Sequence, residues 1–216
     1  MTVVSIRDVS KEYGGTSVFR GLSLTLEEGK TYGLTGPNGS GKSVLLKLIC
    51  GFEFPDEGEV IVNPRFLSSK RTFPEKFGVT INGPAFLANA TAQENLLQLA
   101  RIRGVSGIDD VREALARVGL DVGTKKRVRT FSLGMKQKLS IAQALLEKPE
   151  VLLLDEPFNA LDESSVTRLV SELRAEQAKG TTILFTSHQK EHVQQLCDEV
   201  FELVDGKAKL IGVQAA

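Results

Sequence analysis

The chain has 216 residues and a mass of 23.5 kDa, with 41% hydrophobic residues, enough for a well-buried core in one domain carrying an elaboration. Lys plus Arg and Asp plus Glu both number 27, so the formal net charge is zero, which disfavours nucleic acid as the main partner and gives no field toward an anionic bilayer. No apolar run approaches the roughly 18 residues of a membrane span, the first residues lack the basic and apolar regions of a secretion signal, and Cys50 and Cys197 show no CxxC spacing, which fits a reducing compartment.

In chain order, VVSIRDV (3–9), LSLTLEEG (22–29) and KTYGLTG (30–36) read as short strands separated by glycine turns. From Gly41 the spacing of Val44, Leu45, Leu48 and Ile49 predicts a helix, stopped by Gly51 and Pro55. Between them lies GPNGSGKS (36–43), a fit to G-x-x-x-x-G-K-[ST] in the strand–loop–helix setting that the motif needs. Gly36, Gly39 and Gly41 let the backbone of the loop, Pro37, Asn38 and Ser40 included, wrap closely round a phosphate, with successive N–H groups and the helix N-terminus around Val44 turned inward. Lys42 adds a fixed positive charge, and the Ser43 hydroxyl is placed for Mg²⁺.

FGVTI (77–81) reads as a strand, and 84–148 as a helical insertion in a single domain spanning 1–216. Within it TAQE (91–94) fits a capping box, and Ile108, Val111, Leu115 and Val118 form an amphipathic stripe ending at Gly119. VLLLD (151–155) has the continuous apolar run of a central parallel strand, and its carboxylates appear only at its end, where open α/β sheets bind ligands. Asp155 is the candidate Mg²⁺ holder and Glu156 the candidate general base. A helix from about 163 to 179, a strand at 181–187, a helix at 189–197 and a hairpin round Asp205-Gly206 follow. His188 and His192 stand at i, i+4, but no four-ligand zinc set is visible, so His192 is expected to be an exposed helix residue.

With these motifs in this order along nearly its whole length, the chain resembles the ATP-binding subunits of ABC transporters. The resemblance implies an α/β P-loop NTPase core with a mostly parallel sheet, an N-terminal antiparallel β part and a helical subdomain insertion. It implies Tyr13 stacking on adenine, Asp162 in the NALD loop (159–162) communicating across a dimer interface, and His188 contacting the γ-phosphate. FSLGM (131–135) matches the family signature usually written LSGGQ: Ser132 and Gly134 are retained, and Leu133 and Met135 replace a glycine and the glutamine. This form resembles the ATPases of bacterial exporters of bacitracin and lantibiotics. Where the family has a glutamine that reaches the metal, the chain has Asn82, about 1.5 Å shorter, so contact there calls for a bridging water or a shifted loop.

The function implied is ATP hydrolysis, with ATP and Mg²⁺ as cofactors, by a homodimer or heterodimer in which the Ser132–Met135 signature of one chain completes the site of the other. The expected partner is a separate transmembrane permease contacted through 84–96, and the expected location is the cytoplasmic face of the cell membrane. The rival is a soluble single-cassette ATPase of a repair or assembly complex; a P-loop kinase has no use for the signature helix or the switch histidine.

Overall fold

The computed structural model describes residues 1–68, 73–83 and 85–213. It begins with two long strands, β1 (Thr2–Tyr13) and β2 (Thr16–Glu27), followed by β3 (Thr31–Thr35) and helix α1 (Lys42–Ile49). Strands β4 (Glu57–Val62) and β5 (Phe77–Thr80) lead to helices α2 (Ala92–Arg103), α3 (Ile108–Arg117) and α4 (Leu133–Leu145). The remainder alternates as β6 (Val151–Leu154), α5 (Glu163–Ala178), β7 (Thr182–Thr186) and α6 (Lys190–Leu196), then closes with β8 (Glu199–Val204) and β9 (Lys207–Val213).

These strands form two sheets. The smaller, ordered β2-β1-β4, is antiparallel; the larger, ordered β5-β6-β7-β3-β8-β9, is parallel except for β9. β4 was not foreseen, because Glu57, Gly58 and Glu59 are exposed and break the apolar alternation that marks an edge strand. The central strands are buried on both faces, which is why they read as unbroken apolar runs. Val151 and Leu153 of β6 and Leu184 of β7 join Leu45 and Leu46 of α1 in the core shared with the smaller sheet. Leu152, Leu154, Ile183 and Phe185 point the other way, into the core built with the helices. Each such side chain stabilises the fold by about 1.5–3 kcal/mol relative to exposure.

Several local signals appear as the sequence predicts. The Thr91 hydroxyl accepts from Glu94 N at 3.2 Å, and the Glu94 carboxylate accepts from Thr91 N at 2.7 Å, completing the capping box of α2. Asp205 (φ 50°) and Gly206 (φ 74°) supply the two left-handed residues of the β8–β9 turn.

His192 differs from its expectation. α6 begins only at Lys190, so His188 lies in the loop before it and the two histidines share no helical face. His192 is buried, its ring centroid 4.0 Å from that of Phe158, because it shares the inward face of α6 with Val193 and Leu196. Burial lowers its pKa.

Candidate functional site

The order β6-β7-β3 sets the C-terminal ends of three neighbouring strands side by side. β3 runs into the glycine loop and α1, β6 delivers Asp155 and Glu156, and β7 delivers Thr186, Ser187 and His188. Between them opens a cleft of about 490 Å³, lined by Asn38, Gly39, Gly41, Lys42, Ser43, Val44, Asn82, Asp155, Glu156 and His188 among others. Ten of the expected site residues thus meet in one place. Gly36 and Pro37 line a neighbouring cavity that His188 also borders.

The loop is shaped by what lies beneath it. Gly41 has φ 98°, and a Cβ there would fall 2.6–2.8 Å from Val18 and the Phe19 ring, so only glycine lets β2 support the turn. Lys42 Nζ donates to the carbonyls of Gly36 at 2.8 Å and Pro37 at 3.0 Å; burial lowers its pKa, opposed by the charges of Glu156 and Asp155. Ser43 Oγ donates to Asp155 Oδ2 at 2.7 Å, and Thr186 Oγ1 donates to Asp155 Oδ1 at 2.9 Å. The Asp155 amide donates in turn to Thr80 O at 2.8 Å, tying the carboxylate to β5.

Glu156 lies beside this pair. His188 Nε2 is 3.0 Å from its Oε1, a buried oxygen with no partner of hydrogen-bonding geometry. Burial raises the Glu156 pKa, while the charges of His188 and Lys42 pull it down and that of Asp155 adds to the rise. Asn82 stands at φ 62°, a region asparagine tolerates better than glutamine, and its amide is 3.5 Å from Asp155 Oδ2. The backbone conformation is therefore a reason for asparagine at this position, separate from its shorter reach.

Hard cations prefer oxygen ligands, and the Ser43 hydroxyl beside the Asp155 carboxylate is such a set. Ser40 Oγ, buried in the glycine loop without a hydrogen-bond partner, is a donor suited to an anion. The residues therefore fit Mg²⁺ and a phosphate chain together.

Other expected residues lie outside the cleft. Tyr13 is exposed at the end of β1, with Lys11 Nζ 5.3 Å from its ring centroid. Ser132 caps α4, its hydroxyl oxygen accepting from Met135 N at 3.2 Å, and Leu133 is exposed. Gly134 packs so closely on the segment after Glu156 that a Cβ would come 2.5 Å from the Ala160 carbonyl oxygen. Asp162 caps α5, accepting from Ser165 N at 2.8 Å and the Ser164 hydroxyl at 3.1 Å. Thr186 and Gln137, which touch the acidic pair, went unsingled in the sequence; the only signal for Gln137 was its place in the signature helix.

A family profile described as ABC transporter matches residues 19–159. The chain is 39% identical over 205 residues to the uncharacterized ABC transporter ATP-binding protein YybJ of Bacillus subtilis, covering 95% of this chain and 94% of that one. It is 38% identical over 210 residues to the bacitracin transport ATP-binding protein BcrA of Bacillus licheniformis, covering 95% and 68%. Among solved structures, an ATP binding subunit of an ABC transporter superposes with a TM-score of 0.86 at 27% identity, covering 98% of this chain and 90% of the other. A dimeric ATP-binding cassette in a post-hydrolysis state with ADP and Pi has the same fold, with a TM-score of 0.86 at 23% identity over 99% and 100%.

Proposed function

The chain belongs to the ABC transporter family as an ATP-binding and ATP-hydrolysing cassette, and from that premise we propose that it dimerises round two ATP molecules and drives a separate permease in export. The observation that carries this reading is the convergence of Lys42, Ser43, Asp155, Glu156 and His188 on one cleft at the ends of β3, β6 and β7.

The glycine loop and Lys42 bind the β- and γ-phosphates, and Tyr13 offers a ring face to adenine from the end of β1. Ser43 and Asp155, with Asn82 nearby, would hold Mg²⁺, which when bound would supply charge to stabilise the transferring phosphoryl group. Glu156 takes the proton of the attacking water; its raised pKa brings it nearer the working range of a base. His188 holds the γ-phosphate beside that base, a role supported by its 3.0 Å approach to Glu156. In the dimer, Ser132 and Gly134 close over the partner's nucleotide. Because Ser132 Oγ uses a lone pair for its own helix cap, its O–H remains free to donate to a phosphate oxygen. Asp162 stands beside the same interface.

The permease contact lies at the outer edge of β5. Ala85, Phe86, Leu87 and Asn95, from the strip expected at 84–96, line a cavity with Leu99 and Ile102; Pro84 falls outside the described residues. A second groove continues from Leu99 and Ile102 to Phe52, Phe73 and Val79. Among the described residues no helix is long and apolar enough to cross a membrane; the likeness to transport ATP-binding proteins supports a separate span-bearing partner and a place on the cytoplasmic face. The likeness to a bacitracin transport protein supports an antimicrobial or lipid-like cargo.

The test is Glu156→Gln. Turnover is expected to fall ~10²–10⁴-fold with ATP affinity retained, and the variant should run as a dimer at saturating ATP. A variant that hydrolyses at the parental rate removes Glu156 from the role of base.

A further inference from the structure

Glu156 stands at φ 47°, a left-handed conformation that a non-glycine residue keeps only where its surroundings impose it. Its peptide groups are held at both ends. The amide N–H donates to Thr186 Oγ1 at 2.7 Å, and the carbonyl accepts from Gln137 Nε2 at 3.1 Å. The same Gln137 amide nitrogen donates to Pro157 O at 3.2 Å, so both of its hydrogens are committed to this one turn of backbone. Gln137 and Thr186 are both buried. Four residues on, Ala160 is also left-handed, at φ 61°, and its carbonyl is the group that presses against Gly134. Gln137 and Gly134 are i, i+3 neighbours on α4, so one face of that helix grips both strained positions of the segment.

We propose that Gln137 is a positioning residue for hydrolysis: it holds the Glu156 peptide in the left-handed conformation that aims the carboxyl group into the cleft beside His188. This inference rests on Glu156 being the general base. Gln137 borders the cleft, but both of its N–H donors are spent on the Glu156 and Pro157 carbonyls and so are not offered to the nucleotide. Without them the segment relaxes toward ordinary backbone angles and the carboxyl leaves its place. A misplacement of about 1 Å at a reacting group can cost ~10²-fold in rate.

Gln137→Met keeps the side-chain length and removes both donors. Amide hydrogen exchange, followed without nucleotide, is expected to speed up ~10-fold in residues 156–161 and to stay unchanged in β3 and α1. Turnover should fall ~10–100-fold while the Kd for ATP changes less than ~2-fold. In a Glu156→Gln background the same change should add no further loss, since the two residues act as one unit. Unchanged exchange in 156–161, or a loss that multiplies with that of Glu156→Gln, overturns the proposal. Should Gln137→Met not fold, Gln137→Asn, whose amide stops one methylene short, carries the same comparison. Parental turnover in Glu156→Gln alone defeats the reading of the base, and is told apart from a failure of Gln137 by that single variant.

Discussion

Asp162 carries a structural duty as the cap of α5, beside the interfacial one proposed for it. Hydrogen bonds from the side chain and amide of Ser165 and from the Ser164 hydroxyl lower its carboxyl pKa to about 2. A carboxyl depressed in the folded state adds stability that is complete above its unfolded value, near ~4, and is lost as pH falls toward the folded value. The melting temperature of the parent should therefore drop relative to Asp162→Asn, which caps but does not titrate, between about pH 4 and pH 2, with a constant difference above about pH 5. Parallel melting curves across that range would show that the cap does not govern acid stability. The capping role was readable from NALD preceding a helix, and the glycine loop from its spacing. Gln137 and Thr186 were not, because what they do is done through hydrogen bonds to the backbone at Glu156, 19 and 30 residues away. His192 was misread for a related reason: its helix is too short for periodicity to reveal which face meets Phe158.

Among the elements, α4 has the most demanding environment. Its C-terminal half lies so close to β5 that a Cβ on Gly78 would come 2.0 Å from the Ala144 carbonyl oxygen, while its first turns grip the segment after Glu156. Gly78→Ala must push helix and strand apart, at a cost of about 3 kcal/mol or more. Calorimetry should show a melting temperature lower by roughly 6–12 °C, and a fall below about 2 °C would mean that the helix yields freely. The other end of the helical insertion is tied down by charge: Arg117 at the end of α3 reaches Glu172 at 2.8 Å and Glu176 at 2.6 Å on α5. Helix existence was legible here from periodicity and caps, since both are local. The closeness of β5 to α4 was not, because Gly78 in a strand pattern does not say which helix approaches it.

For the whole molecule, the proposed arrangement makes a prediction that no single chain can test. If α4 of one protomer completes the cleft of the other, a mixed dimer of Glu156→Gln with Ser132→Arg places both lesions in one cleft and leaves the second intact. A dimer of the double variant with the parent places one lesion in each. Tagged mixed dimers should hydrolyse ATP faster in the first combination than in the second; the reverse order would mean that each signature serves its own chain. The alternation of strands and helices made the parallel sheet legible, but the order of its strands depended on crossovers that composition does not encode.

That order bears on synthesis. Gly33 in β3, the strand that feeds the phosphate loop, pairs with Phe185 of β7 on one side and Val200 of β8 on the other. Both partners leave the ribosome long after β3 itself. Until β7 and β8 have been made this strand has two unpaired edges, and the cleft cannot assemble before then. The nascent chain must therefore keep β3 shielded or loosely collapsed until β7 and β8 have followed it.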